Sequence, residues 1–176
     1  MRLLIILAAL FTTIPAFAAQ LDIEIELPKI DVAEYHRPYV AIWIATEDAS
    51  VAANLAVWYQ KRLGKDAQSG KMEPGSRWLA DLRQWWRRSG RESTLPIDGV
   101  SGATRPAGQY QLSYSDARPP LGQLAAGNYN LMVEVVREVG GRELKSIPFQ
   151  WPPAQQQTFK TRGETEIGSV GLTLVP

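Results

Sequence analysis

Residues 21–27 read LDIEIEL, apolar and acidic in strict turn. Leu21, Ile23, Ile25 and Leu27 fall on one side of an extended chain, and Asp22, Glu24 and Glu26 on the other. This predicts a half-buried β-strand whose carboxylate row is a solvated face. The same rhythm recurs downstream. Residues 39–45 are apolar on both faces and predict a central strand carrying Trp43 into the core. Leu55, Val57 and Tyr59 share one side of the next strand. Residues 107–112 (AGQYQL) are echoed by 126–131 (AGNYNL), each a glycine turn entering a strand that starts on an aromatic. Two copies make a local echo rather than a solenoid. Residues 128–138 predict a long strand, Gly140-Gly141 a tight hairpin, 143–149 its return and 167–175 the last strand. Pro148, Pro152 and Pro153 mark a strand end or an exposed edge. About seven strands with glycine and proline turns predict an all-β fold: an antiparallel, broadly immunoglobulin-like β-sandwich.

One segment breaks the β rhythm. In residues 77–89, Trp78, Leu82 and Trp85 are spaced i, i+4, i+7, and Leu79, Leu82 and Trp86 i, i+3, i+7, which is helical. Ser76 suits its start, Arg87 and Arg88 its C-terminal dipole, and Gly90 lies just past its end. Trp78, Leu82 and one of the tandem tryptophans are expected to pack on the sheet. Trp85 and Trp86 are about 100° apart on a helix, so one of them is expected to stay half exposed beside arginine. Residues 61–75 read as a polar, glycine-bearing loop.

The N-terminus carries a different signal. Arg2 is followed by an apolar run at 3–11 and by Ala16-Phe17-Ala18, the three parts of a secretory signal with cleavage after Ala18. The run is too short to span a bilayer, and no later stretch is apolar enough. Residues 1–18 are therefore expected to be a signal peptide, and 19–176 a single domain working in the periplasm and not integral to the membrane. Removing Arg2 from 19 basic residues leaves 18 against 18 acidic ones. With no basic field, nucleic acid is not an expected partner. Cysteine is absent, which excludes thiol catalysis, disulfides and cysteine metal sites. His36 is the one histidine, no GxSxG elbow accompanies it, and a hydrolytic enzyme is not expected. No metal cluster is visible.

Four stretches together carry a resemblance: YVAIWI at 39–44, WLADLRQWWR at 78–87, DGVSGATRPAGQY at 98–110 and YNLMVEVVRE at 129–138. Through them the chain resembles the domain-of-unknown-function family 2271 of predicted periplasmic proteins. The AGxY pieces are also similar to the immunoglobulin-like segment of flagellar hook-capping proteins, an analogy of fold alone.

Residues 98–104 fit D-x-x-[ST]-G-A-[ST]. That pattern resembles the flavinylation site of FMN-binding domains in ion-translocating redox complexes, where a flavin transferase joins FMN to the final Thr or Ser through a phosphoester. The resemblance implies a covalent FMN on Thr104, with Asp98, Ser101, Gly102 and Ala103 forming the recognised segment. Chemically, a hydroxyl attacks phosphorus once a base activates it. Small residues let a modifying enzyme approach, in what reads as a flexible, accessible loop. Arg105 is placed to pair with the phosphate, and Trp85 or Trp86 to stack on the ring. The implied function is extracytoplasmic electron transfer, with a flavin transferase and a membrane electron donor of PepSY type as partners. The alternative is a non-enzymatic periplasmic binding or assembly module in which DGVSGAT is a turn.

Overall fold

The computed structural model describes residues 18–60, 75–122 and 124–176. The expected signal segment up to Phe17, and residues 61–74 of the expected polar loop, lie outside the described residues.

Two sheets form an antiparallel β-sandwich. Strands β1 (Gln20–Leu27), β2 (Tyr39–Thr46) and β3 (Val51–Trp58) precede a helical insertion, and six more follow it. These are β4 (Ser101–Gly102), β5 (Gly108–Ser115), β6 (Gly127–Val136), β7 (Arg142–Trp151), β8 (Gln157–Arg162) and β9 (Ser169–Val175). One sheet has the order β5-β1-β9-β8 and the other β4-β3-β2-β6-β7. Every pairing is antiparallel except that of β4 with β3.

The opening heptad does what its pattern dictates. Leu21, Ile23, Ile25 and Leu27 are buried against Val40, Ile42 and Ile44 of β2 and Leu131, Val133 and Val135 of β6. Each such side chain taken from water contributes about 1.5–3 kcal/mol. Strand β2 alternates too, but both of its faces are covered. Ala41, Trp43 and Ala45 point away from the inter-sheet core into a second cluster with Val57, Tyr59, Leu79, Leu82, Trp85 and Val100. Trp43 therefore packs under the helical layer, and the inter-sheet tryptophans are Trp58 and Trp151.

The AGxY echo has a common cause. The Tyr110 hydroxyl donates to the Pro106 carbonyl at 2.7 Å, and Tyr129 to that of Ala125 at 2.9 Å, each four residues upstream. Each tyrosine thereby ties the entry of its strand to the preceding turn, as in the tyrosine corner of sandwich folds. Strand β8 breaks the expected count, because QTFKTR offers Phe159 as its one large apolar residue.

The helical insertion is shorter and more broken than its spacing predicts. A 3-10 turn over Gly75–Asp81 leads into a single six-residue α-helix, α1 (Arg83–Arg88). Its start is held by Glu134 of β6. Gln84 N–H donates to both Glu134 carboxylate oxygens at 3.1 and 3.0 Å, and Trp85 N–H donates at 2.9 Å. Gly90 lets the chain turn under the tandem tryptophans: a Cβ there would sit 2.5 Å from the Trp85 ring and 2.7 Å from that of Trp86.

Candidate functional site

Among the described residues a cleft of about 800 Å³ runs between three parts of the chain. Tyr35 to Tyr39, leading into β2, form one side. The 3-10 turn and the start of α1 contribute Trp78, Asp81 and Arg83, and the β6–β7 hairpin contributes Val136 to Arg142. Thr104, just past β4, is the one residue of the DGVSGAT motif on its wall.

The motif is folded rather than loose. Asp98 is exposed, and Gly99 takes a left-handed φ of 67° that suits glycine. Ile97 N–H donates to Ser101 Oγ at 2.9 Å, and Ser101 N–H returns to the Ile97 carbonyl at 2.9 Å. Val100 is buried in the second cluster. Val57 N–H donates to the Val100 carbonyl and Tyr59 N–H to that of Gly102, both at 3.0 Å. The expected flexible loop is thus an edge strand stitched to β3. Gly102 has a packing reason of its own, since a Cβ there would come within 3.0 Å of the Trp58 ring. Ala103 is exposed and Thr104 half-buried. No hydrogen bond engages the Thr104 hydroxyl among the described residues.

Three expected cofactor contacts lie elsewhere. Arg105 does not line the cleft: its guanidinium stacks on the Trp58 ring at 4.0 Å and on Tyr110 at 4.9 Å. Trp85 is 0 % exposed, and its indole N–H donates to Asn54 Oδ1 at 2.8 Å, so its face is closed to a ligand. Trp86 is half-buried beside Trp85, their rings 6.3 Å apart, and does not reach the cleft. Trp78, expected in the core, is instead 45 % exposed on the cleft wall beside Arg77, whose guanidinium lies 4.9 Å from its ring centre. The cause is the 3-10 turn. With three residues per turn it rotates Trp78 off the face that Leu82 and Trp85 occupy.

Buried carboxylates fix the cleft walls. Glu134, besides receiving the α1 amides, accepts from Arg142 Nη1 at 2.9 Å. Arg137 and Glu166 form a buried two-point pair, both bonds 3.0 Å, and Gly141 N–H also donates to Glu166 at 2.8 Å. These bonds anchor the base of the β6–β7 hairpin. Glu143 gathers the backbone N–H groups of residues 164–167 at 2.7–3.0 Å. Burial pushes its carboxyl up, but the N–H groups of Thr165, Ile167 and Glu164, and Lys145, more than offset this, and it titrates below its ordinary range. Burial likewise pushes the Tyr35 and Tyr39 phenols up. His36 lies 3.1 Å from Glu34 and 3.5 Å from Glu138.

The hairpin departs from its expected form. Its loop spans five residues, 137–141, closed by Arg137 N–H to the Gly141 carbonyl at 3.1 Å. The left-handed position falls on Val139, φ 54°, while Gly140 and Gly141 take ordinary backbone angles. Strand β7 then runs past Pro148 to Trp151, tolerated because β7 is a sheet edge.

No group of three His, Asp or Glu converges to hold a metal among the described residues. No described helix is long and apolar enough to cross a membrane. Sequence reasoning missed Glu134 and Val139. A lone glutamate in YNLMVEVV is the one available hint of the first.

No curated protein and no solved structure matches the chain. A family model for predicted periplasmic proteins does match it, over residues 20–169, from the start of β1 to the first residue of β9, and the chain belongs to that family, the domain of unknown function DUF2271.

Proposed function

We propose that this chain is an extracytoplasmic electron-transfer protein carrying FMN covalently on Thr104. The observation that carries the reading is the position of Thr104: it closes the DGVSGAT motif and stands half-buried, its hydroxyl unengaged among the described residues, on the wall of a cleft of about 800 Å³. The volume of that cleft falls within the range of cofactor pockets, and aromatic side chains and arginines line it.

In forming the ester, the Thr104 Oγ–P bond is made, the phosphoanhydride of a flavin–nucleoside pyrophosphate breaks, and its nucleoside monophosphate half departs as the leaving group. The hydroxyl proton leaves to a base of the transferase. Once bound, the flavin supplies one- and two-electron chemistry. The chain's own residues do the rest. Stitching of β4 to β3 through Val100 and Gly102 fixes the chain just before Thr104, and the Arg137–Glu166 and Glu134–Arg142 pairs hold the opposite wall. Arg37 and Arg83 supply positive charge at the rim.

The test is co-export with a flavin transferase, beside Thr104→Ala and Thr104→Ser. A mass gain of one FMN minus water and in-gel fluorescence are expected for wild type and Thr104→Ser only. A dark, unmodified wild type, with a known acceptor protein labelled in the same cells, would overturn the reading.

One observation favours the binding-module alternative. The layer over residues 75–92 exposes Trp78, Arg83, Arg87 and Arg88 together, a composition typical of contact surfaces. A partner lost on Arg87→Glu/Arg88→Glu, with no flavin ever attached, would establish it.

A further inference from the structure

We propose that Val139 and Trp78 are the two apolar walls of a slot that grips a flat aromatic ring in the cleft beside Thr104. Under the reading above this ring is the isoalloxazine, but the slot acts on a ring whether or not it is tethered.

Val32, Trp78 and Val139 are the large hydrophobic residues that stand exposed among the described residues, and two of the three border this one cleft. Val139 is 86 % exposed at the tip of the β6–β7 hairpin. It also holds a φ of 54°, a region that β-branched residues rarely adopt. Asparagine, aspartate or glycine would serve that turn without strain. The chain has two glycines in the next two positions, yet it places valine at the left-handed one. Strain and exposed apolar surface both cost stability, and strain of this kind collects at ligand clamps.

The surroundings make such a clamp practicable. The hairpin base is fixed by the Arg137–Glu166 pair and by Gly141 N–H on Glu166, so the tip is presented on a rigid stem. Trp78, 45 % exposed, is held by the 3-10 turn. The Tyr39 hydroxyl donates to the Gly75 carbonyl at 3.1 Å and so ties the start of that turn to β2. Arg37 and Arg83 at the rim make no ion pair among the described residues. Asp81 and Glu138 also line the cleft, with Glu138 beside His36. A planar ring between indole and valine, with its anionic end toward the arginines and Thr104 and away from Asp81 and Glu138, uses the apolar walls and the rim charge together.

The test uses the full mature chain in two forms, unmodified and loaded, with Val139→Gly, Trp78→Leu and, as a control away from the cleft, Val32→Ala. Riboflavin and FMN are titrated into the unmodified protein. In the loaded protein, iodide quenching of the flavin is measured. Val139→Gly is expected to raise the melting temperature, because glycine relieves the strained φ, while weakening riboflavin at least about fivefold. Trp78→Leu should weaken it at least about tenfold, and Val32→Ala should leave it unchanged. In loaded protein both cleft variants should leave the ring more open to iodide.

The outcomes separate the two claims. If loading fails yet free riboflavin binds and responds to both variants, the slot stands and the covalent reading falls. If loading succeeds and both variants leave quenching and affinity unchanged, the slot is wrong. Failure of wild type to bind free flavin, with no loading, overturns both. A loss in Val139→Gly confined to binding of anionic phosphatidylglycerol vesicles would show that the tip faces a membrane, and would also overturn the slot.

Discussion

Replacing Glu134 by alanine is expected to be among the most damaging single changes in the protein. The residue is 0 % exposed near the C-terminal end of β6, a strand lying between the central strand β2 and the edge strand β7. Its carboxylate accepts Gln84 N–H, Trp85 N–H and Arg142 Nη1. Alanine would orphan the two backbone amides at the start of α1, each costing about 1–3 kcal/mol when buried. Arg142 is 36 % exposed and can turn to water, so its share is smaller. Together these give about 3–5 kcal/mol, the range seen when one partner of a buried pair is removed. For a domain of this size that lowers the melting temperature by about 10 °C. Glu134→Gln keeps one carbonyl acceptor and should cost about half as much. Because Trp85 is pinned through its own N–H, its fluorescence should report loosening of the helical layer before global unfolding. The assay is urea unfolding followed by far-ultraviolet circular dichroism and by tryptophan emission. A Glu134→Ala stability within about 1 kcal/mol of wild type would refute the claim that this carboxylate holds the layer.

Three further outcomes follow from the same geometry. The folded-state pKa of Glu143 lies below its ordinary 4.5, so its contribution is complete above that value and is lost as pH falls through the lower folded one. Unfolding measured from pH 6 to 2 should show a shallower acid limb in Glu143→Gln. Burial pushes the Tyr114 phenol up to about 12, and its hydroxyl donates to the Leu55 carbonyl at 2.9 Å. The folded state therefore holds this proton while the unfolded one releases it near 10, and stability should fall between those values. Ultraviolet difference titration of Tyr114→Phe against wild type should place the missing phenolate near pH 12; a loss near pH 10 would contradict it. Gly90→Ala drives a methyl into the Trp85 and Trp86 rings and should cost about 1–3 kcal/mol in chemical denaturation. A neutral result would mean that the rings give way freely.

The fold was legible where one residue pattern had one structural meaning. Alternation in LDIEIEL left one register that buries Leu21, Ile23, Ile25 and Leu27, and the paired AGxY turns each placed a strand start. Strand β8 was not legible. A sheet-edge strand needs few apolar residues, and QTFKTR carries one large one. The helical spacing of Trp78, Leu82 and Trp85 was real, but spacing alone does not separate three residues per turn from 3.6. The 3-10 turn left Trp78 exposed, while Trp85 of the tandem pair packs in the core and Trp86 stays half-buried, as expected. Membership of the predicted periplasmic family was readable from four stretches of sequence, and the matching residues 20–169 bear it out. Of the motif residues singled out beforehand, Thr104 is the one the fold brings to a cleft wall. The contacts expected of Arg105, Trp85 and Trp86 were not borne out, because each of these side chains has a packing partner remote in sequence. Val139 was invisible beforehand, since a backbone angle at a hairpin tip depends on how the loop closes.

The central claim rests on Thr104, and fragment-ion mass spectrometry of the peptide carrying residues 98–104 tests it most directly. Protein recovered from a host that exports it alongside a flavin transferase is digested and the modified residue mapped. The account predicts one FMN minus water on Thr104 itself, with Ser101 and Ser113 unmodified. An unmodified Thr104 in a preparation whose transferase labels another acceptor, or a flavin mapped to a different residue, would contradict it.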